Sequence, residues 1–259
     1  FEGIEKIREK NWRVRSHPQQ QHKRQVSSLK DTGEILAPLD GVFFDPSLMD
    51  ELIVRVSIPQ LLERKQPVYP GVILFVPPGT GKSEFQSAVV QVYRNGGAYT
   101  EQVSASNLNS CWVGQLAKNI ESTLEKAVEA SNSIGLPSFL SFDEGSIFAQ
   151  KADNGAASVS KHYQEAIDVF KRYIGNDVGK WLVLAISTNL LPQDFEEAMT
   201  REGRLTSFFI SYPSQREVAR MWKYFLQSRK VLDVSDEQAL ELAGLTGDES
   251  GALIANFCY

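Results

Sequence analysis

The chain has 259 residues, of which 42% are hydrophobic, and its formal net charge is -5 at pH 7. This length and composition predict a globular protein with a sizeable core, arranged as one large domain and a small one. The absence of an apolar run of about 18 residues predicts that nothing spans a membrane, and the acidic balance gives no general case for nucleic-acid binding. Only two cysteines are present, without metal-ligand spacing, so we expect a reducing aqueous compartment such as the cytoplasm or an organelle stroma.

Residues 1–38 are polar and rich in Lys and Arg around the segment Pro18–Gln21. This composition predicts a tail or linker. Such a segment could dock a partner or an acidic surface, although a solvated leader is the commoner case for a charge run. The composition becomes apolar at Leu39, and Pro46 begins a helix-like stretch. We therefore predict a folded nucleotide-binding domain over residues 39–212.

A glycine-rich loop follows the apolar run Val72–Phe75, which predicts a buried strand. Glycines let backbone amides approach phosphates closely, a lysine can reach the β- and γ-phosphates, and a hydroxyl can bind Mg²⁺ at the start of the following helix. The sequence therefore predicts an ATP-binding loop. The predicted contacts are Pro77, Pro78, Gly79, Thr80, Gly81, Lys82, Ser83 and Glu84, with Ser83 also a metal ligand.

Val76 stands at the first position of this motif, where the full pattern has glycine. A simple Pro-Gly turn followed by a chance Gly-Lys-Ser is the alternative interpretation. The strand before the loop and the helix-compatible residues after it favour the phosphate-binding interpretation, because that strand-loop-helix context is the one the motif requires.

The next elements predict alternation of strand and helix. Residues 98–103 favour a second strand, and apolar residues at helical spacing predict an amphipathic helix over 115–130. The loop before that helix contains Trp112, Val113 and Gly114. A tryptophan just before a helix is most often a partly buried packing residue.

Two adjacent carboxylates, Asp143 and Glu144, end the apolar segment Phe139–Phe142. In phosphate-loop ATPases an acid at a strand end holds Mg²⁺, and an adjacent Glu accepts a proton from the attacking water. We predict these roles for Asp143 and Glu144. Alone, the pair would more simply mark a strand that exits into a polar turn, but the preceding phosphate loop favours the catalytic interpretation.

The remaining chain predicts another amphipathic helix over 163–174, a fourth strand over 181–187 that ends at Asn189, and a fifth strand over 208–212. Strands that alternate with helices indicate an α/β fold with a parallel five-stranded sheet, and ligands bind at the carboxyl ends of such strands. After Pro213 the pattern is helical, with capping boxes at Ser214 and Ser235. Residues 213–259 are therefore predicted to form a small, apparently incomplete, all-helical lid subdomain.

The ordered set of phosphate loop, acidic pair, Thr188-Asn189 and Arg201-Glu202-Gly203-Arg204 resembles the motifs of AAA+ ATPases over about residues 39–259. The resemblance implies an ATP hydrolase that uses Mg²⁺ and works as a homo-oligomeric ring, in most cases a hexamer. It implies that Asn189 positions the attacking water, and that Arg201 and Arg204 act on the γ-phosphate bound by a neighbouring subunit. Within the protein-remodelling clade, Trp112, Val113 and Gly114 occupy the place of the pore loop that contacts a threaded polypeptide.

A second resemblance, to Rubisco activase, rests on Asp40-Gly41, Met49–Leu52, Gly81–Gln86 and Arg201–Arg204. It implies a specialised remodeller of the same superfamily. Two other classes stay open: an ATP-dependent assembly switch on nucleic acid, and a scaffold without hydrolysis. The intact catalytic positions disfavour the scaffold. Residues 104–114 contain no Lys or Arg, which makes a nucleic-acid partner less expected, because phosphate neutralisation dominates such binding.

Overall fold

The computed structural model describes residues 31–104, 115–143, 157–195, 197–229, 232–246 and 254. Three short helices precede the sheet: α1 (Thr32–Leu36), α2 (Pro46–Arg55) and α3 (Ile58–Glu63), with a 3-10 turn over Ala37–Gly41. Leu36 and Leu39 are fully buried in the core. The core therefore includes Leu36, although the composition alone assigned residues 1–38 to a tail or linker.

A five-stranded parallel sheet forms the centre of the fold, as predicted. Its strands are β1 (Gly71–Phe75), β2 (Thr100–Ser104), β3 (Ser138–Asp143), β4 (Leu182–Thr188) and β5 (Thr206–Phe209). The strand order is β2-β3-β4-β1-β5, and every neighbouring pair is parallel. All residues of β1 and β4 are buried, because helices cover both faces of a parallel sheet.

Five longer helices complete the fold: α4 (Lys82–Asn95), α5 (Gln115–Ile134), α6 (Ala157–Tyr173), α7 (Gln215–Ser228) and α8 (Asp236–Thr246). One apolar cluster lies on the sheet face that α4 covers, and includes Phe85 and Tyr93. A second lies under α5 and α6, and includes Leu124 and Phe170. The sheet is thus the middle layer between two helical layers.

The described part of the C-terminal region is helical, in agreement with the predicted lid. Helices α7 and α8 share a separate apolar cluster that includes Trp222. The predicted capping boxes form: the Ser214 backbone N–H donates to the Glu217 carboxylate at 2.5 Å, and the Ser235 backbone N–H donates to Gln238 Oε1 at 2.9 Å. None of the helices among the described residues combines the length and apolar character that a membrane span needs.

Several element boundaries differ from the sequence prediction; helix α6, for example, begins at Ala157, six residues before the predicted start. Strand β2 begins two residues later than expected, and α5 runs on to Ile134, where Gly135 with a φ of 73° ends it in the left-handed region. Strand β5 lies earlier than 208–212, because Thr206 to Phe209 pair with Val72 to Phe75 of β1. Pairing with β1, and not the local run of aromatic residues, therefore sets the position of β5.

Candidate nucleotide-binding site

The candidate site lies at the carboxyl edge of the sheet, where parallel strands direct their following loops to one side. Strand β1 leads into the glycine-rich loop, β3 ends at Asp143, and β4 leads into Asn189. Three segments that are distant in sequence thus meet at one edge. This is the arrangement that the sequence analysis predicted.

The phosphate loop has the backbone conformation that its glycines permit. Gly79 and Gly81 have φ values of 81° and 89°, in the left-handed region that L side chains rarely adopt. The Thr80 hydroxyl donates a hydrogen bond of 2.9 Å to the Pro77 carbonyl, and α4 begins at Lys82. The loop therefore presents backbone amides at the N-terminal end of a 14-residue helix, which is a favourable place for phosphate.

Val76 does not disturb this loop. Its side chain is buried among apolar core residues, and its backbone N–H donates to the Thr188 carbonyl at 3.1 Å. The residue therefore continues the β1–β4 pairing by one step before the chain turns. The departure from the motif is accommodated because this position belongs to the strand end.

Lys82 and Asn189 are brought into direct contact although they are 107 residues apart in sequence. The Lys82 ammonium donates to Asn189 Oδ1 at 2.5 Å. The predicted phosphate-binding lysine and the predicted water-positioning amide therefore share one site.

Asp143 is held by a residue that the sequence analysis missed. The Ser187 hydroxyl on β4 donates a hydrogen bond of 2.8 Å to Asp143 Oδ1, and Ser187 is fully buried. This contact orients the carboxylate at the end of β3. The signal available in the sequence was a hydroxyl at the end of the apolar run Leu182–Ile186.

A cavity of about 270 Å³ adjoins the phosphate loop. Segment 41–44 forms one wall, residues 79–84 form the floor, and Met221 and Phe225 of α7 form another wall. Phe43 of segment 41–44 packs against Tyr224 of α7. The centroids of the two rings are 5.2 Å apart, and the rings meet edge to face. Apolar walls beside a phosphate-binding loop suit a nucleoside. Sequence reasoning did not identify these walls.

Arg201 and Arg204 lie elsewhere. They precede the amino end of β5, whereas the phosphate loop follows the carboxyl end of β1, which pairs in parallel with β5. Arg201 is exposed, and the Arg204 guanidinium donates to the Ala198 carbonyl. The structure therefore does not bring the two arginines to the phosphate loop of their own chain.

Four predicted site residues lie outside the described residues: Glu144, Trp112, Val113 and Gly114. Of these, Glu144 directly follows the described Asp143. The other three fall between the end of β2 and the start of α5. Their assigned roles stay predictions.

The donor set at the loop fits Mg²⁺. Ser83 offers a hydroxyl and Asp143 a carboxylate, and Mg²⁺ prefers hard oxygen ligands of which phosphates supply several. In the part of the chain that the structure describes, no group of three or more His, Cys, Asp or Glu could hold a metal by itself.

Residues 72–212 match the family described as "ATPase family associated with various cellular activities (AAA)". This match covers more than half of the chain and includes residues of every strand of the sheet. The chain therefore belongs to the AAA ATPase family, a class of ATP hydrolases.

Among known proteins, the chain is similar to Vacuolar protein sorting-associated protein 4A of Homo sapiens, with 28% identity over 222 residues, or 85% of this chain and 47% of that protein. Its counterpart 4B of Mus musculus is 30% identical over 224 residues, with the same coverage. Protein SUPPRESSOR OF K(+) TRANSPORT GROWTH DEFECT 1 of Arabidopsis thaliana is 28% identical over 181 residues, or 70% of this chain and 39% of that protein. The chain spans about half the length of the first of these relatives.

Proposed function

We propose that this chain binds and hydrolyses ATP with Mg²⁺ and uses the energy to remodel a protein substrate as a subunit of an AAA ring. The observation that carries the proposal is the contact of Lys82 with Asn189 beside a cavity of about 270 Å³ that the phosphate loop lines. Asp143 is hydrogen-bonded to Ser187, two residues before Asn189. A structural role would not require a lysine of the glycine-rich loop, a carboxylate and an amide at the carboxyl edge of one sheet.

Binding follows from the loop and its cavity. Backbone N–H groups of residues 79–83 bind the phosphates, with the dipole of α4 behind them. The Lys82 ammonium leaves Asn189 for the β- and γ-phosphates, because a phosphate oxygen is a stronger partner than a neutral amide. The base lies between segment 41–44 and α7.

Ser83 and Asp143 would hold the metal ion. When bound, Mg²⁺ neutralises the charge that develops on the phosphate oxygens. The Ser187 hydroxyl fixes the Asp143 carboxylate at the end of β3. These residues also fix the orientation of the triphosphate relative to the ends of β3 and β4.

Hydrolysis needs a base and an oriented water. Glu144 takes a proton from the water while the water oxygen bonds to the γ-phosphorus and the bond to the β–γ bridging oxygen breaks. Asn189, freed from Lys82, orients that water. ADP and inorganic phosphate are the products.

The position of Arg201 and Arg204 supports assembly into a ring. Both lie at the edge of the sheet opposite their own phosphate loop, which supports a role at a site on another copy. A head-to-tail contact forms a ring where its rotation closes, and we propose a closed ring of six subunits. Hydrolysis would then depend on assembly, because the guanidinium stabilises the transition-state charge in trans.

The substrate we propose is a polypeptide that Trp112, Val113 and Gly114 contact in the central pore. The aromatic side chain can contact many different residues without specific hydrogen bonds. Residues 104–114 contain no Lys or Arg, which disfavours a nucleic-acid strand in the same place. We place this activity in a reducing aqueous compartment, because the chain has only two cysteines and they lack metal-ligand spacing.

Two variants test the ATPase assignment. Glu144→Gln should retain ATP binding and lose turnover, because the amide keeps the shape of the side chain but cannot accept the proton. Lys82→Ala should instead lose ATP affinity. The measurements are the ATP dissociation constant and the rate of phosphate release for both variants and the unmodified chain. Normal turnover by Glu144→Gln would remove Glu144 from the catalytic role.

A further inference from the structure

Gln86 is a buried amide inside the apolar face of α4. Its side chain is fully buried, and the nearby helix residues Phe85 and Val89 belong to one apolar core cluster. Both protons of its Nε2 group have acceptors on the sheet: the Phe142 carbonyl at 3.2 Å and the Ala185 carbonyl at 3.1 Å. One side chain of the phosphate-loop helix thus joins β3 and β4.

These two carbonyls lie just below the site. Phe142 directly precedes Asp143, and Ala185 is two residues before Ser187, the residue that donates to Asp143. The register pairs Ser141 with Ala185 and Phe142 with Ile186, so the carbonyls belong to neighbouring steps of the β3–β4 ladder. Gln86 therefore bonds the ladder one step below the Ser187–Asp143 contact.

Lys82 lies one helical turn before Gln86 on α4, so the two side chains share a face of the helix. Lys82 contacts Asn189, four residues beyond the Ala185 that Gln86 contacts. The helix is consequently fixed to β4 at two levels. Lys82 exchanges Asn189 for phosphate when a nucleotide binds. The contact of Gln86 with Ala185 is buried and independent of nucleotide.

The amide is not explained by stability. Gln86 Oε1 is buried and has no hydrogen-bond partner among the described residues, and an unsatisfied buried acceptor destabilises a fold. An apolar side chain of similar size would avoid this cost. Residues that break the rules of core packing in this way are expected at functional sites.

We infer that Gln86 is a positioning residue for ATP hydrolysis, whose amide fixes the phosphate-loop helix against the strand ends that carry Asp143 and lead into Asn189. The inference rests on the proposed function. Gln86 does not touch the nucleotide. It sets the distance between the groups that bind the phosphates, on α4, and the groups that act on water and metal, at the ends of β3 and β4.

The test uses Gln86→Met in the full 259-residue chain, because methionine has nearly the same size and shape but no donors. We expect kcat to fall by about ten- to a hundredfold, as for other small misplacements of reacting groups. The KM and the ATP dissociation constant should change by less than about threefold, because phosphate binding by the loop is retained. The melting temperature should change little, because the loss of two hydrogen bonds and the removal of an unsatisfied buried acceptor oppose each other.

Tyr93→Phe is the matched control. Tyr93 is also fully buried on α4, and its hydroxyl donates to the Val56 carbonyl at 2.7 Å, at the far end of the helix from the phosphate loop. Removal of this bond should lower the melting temperature and leave kcat unchanged. Gln86→Met should thus mainly lower kcat, whereas Tyr93→Phe should mainly lower the melting temperature.

Amide hydrogen exchange gives a readout that does not require turnover. Gln86→Met should accelerate exchange at Asp143 and Asn189, and Tyr93→Phe should not. If the unmodified chain hydrolyses no ATP, the proposed function fails while this exchange result still tests the positioning role. An unchanged kcat with unchanged exchange would overturn the inference. So would failure of both Gln86→Met and Gln86→Leu to fold, because the amide would then be structural.

Discussion

Arg204 lies too far from its own phosphate loop to act there. At about 3.3 Å per strand residue, the path from Arg204 to Phe209 is roughly 17 Å long, and Phe209 pairs with Phe75, the last residue before the loop begins. This separation exceeds the reach of an arginine side chain. Any effect of Arg204 on hydrolysis should therefore appear at the site of a neighbouring subunit.

Replacement of Arg204 by alanine should lower ATP turnover by on the order of 10³-fold, as for other arginine fingers. This corresponds to about 4 kcal/mol of transition-state stabilisation. The same change removes the hydrogen bond to the Ala198 carbonyl, which is worth only about 1 kcal/mol of folding stability. The catalytic effect should thus far exceed the structural one, and Arg204→Lys separates charge from the planar guanidinium.

Mixed assemblies distinguish action in trans from action within one chain. An interface between an Arg204→Ala subunit that supplies Glu144 and a Glu144→Gln subunit that supplies Arg204 has every catalytic group intact. In a random equal mixture about a quarter of head-to-tail interfaces have this composition, so phosphate release should recover to about that fraction. Mixtures that co-assemble, as judged by sedimentation, yet stay as inactive as either parent would refute the assignment.

Two further predictions concern Trp112 and Asp45. Trp112→Ala should leave the melting temperature and basal ATPase near normal and abolish stimulation by a protein substrate. A loss of roughly 3 to 5 kcal/mol of stability would instead identify a packing residue. Asp45 accepts hydrogen bonds from the Ser47 hydroxyl and from the Leu48 backbone N–H, which hold the pKa of its carboxyl below the ordinary value. Since Asp45 is the N-cap of α2, Asp45→Ala should cost about 1 kcal/mol. Because the folded pKa is depressed, this difference should be present above about pH 4 and disappear as the pH falls through the folded pKa, as measured by denaturant unfolding.

The sequence alone determined the features that depend on neighbouring residues. The glycines that require positive φ, the lysine and hydroxyl at the start of α4, and the capping boxes at Ser214 and Ser235 are all set by contacts within a few positions. Apolar runs likewise predicted the central strands β1, β3 and β4, because strands that are buried on both faces are mostly apolar. The family of the chain could be predicted from these motifs for the same reason.

Only the tertiary structure decided which distant residues meet. The order β2-β3-β4-β1-β5 places β4 between β3 and β1, so Ser187 reaches Asp143 and Asn189 reaches Lys82. The cavity wall that segment 41–44 shares with α7 depends on the packing of Phe43 against Tyr224. Such contacts join residues far apart in the chain, and their partners are selected by the register of the sheet and the packing of its helices, neither of which leaves a local periodic pattern in the sequence.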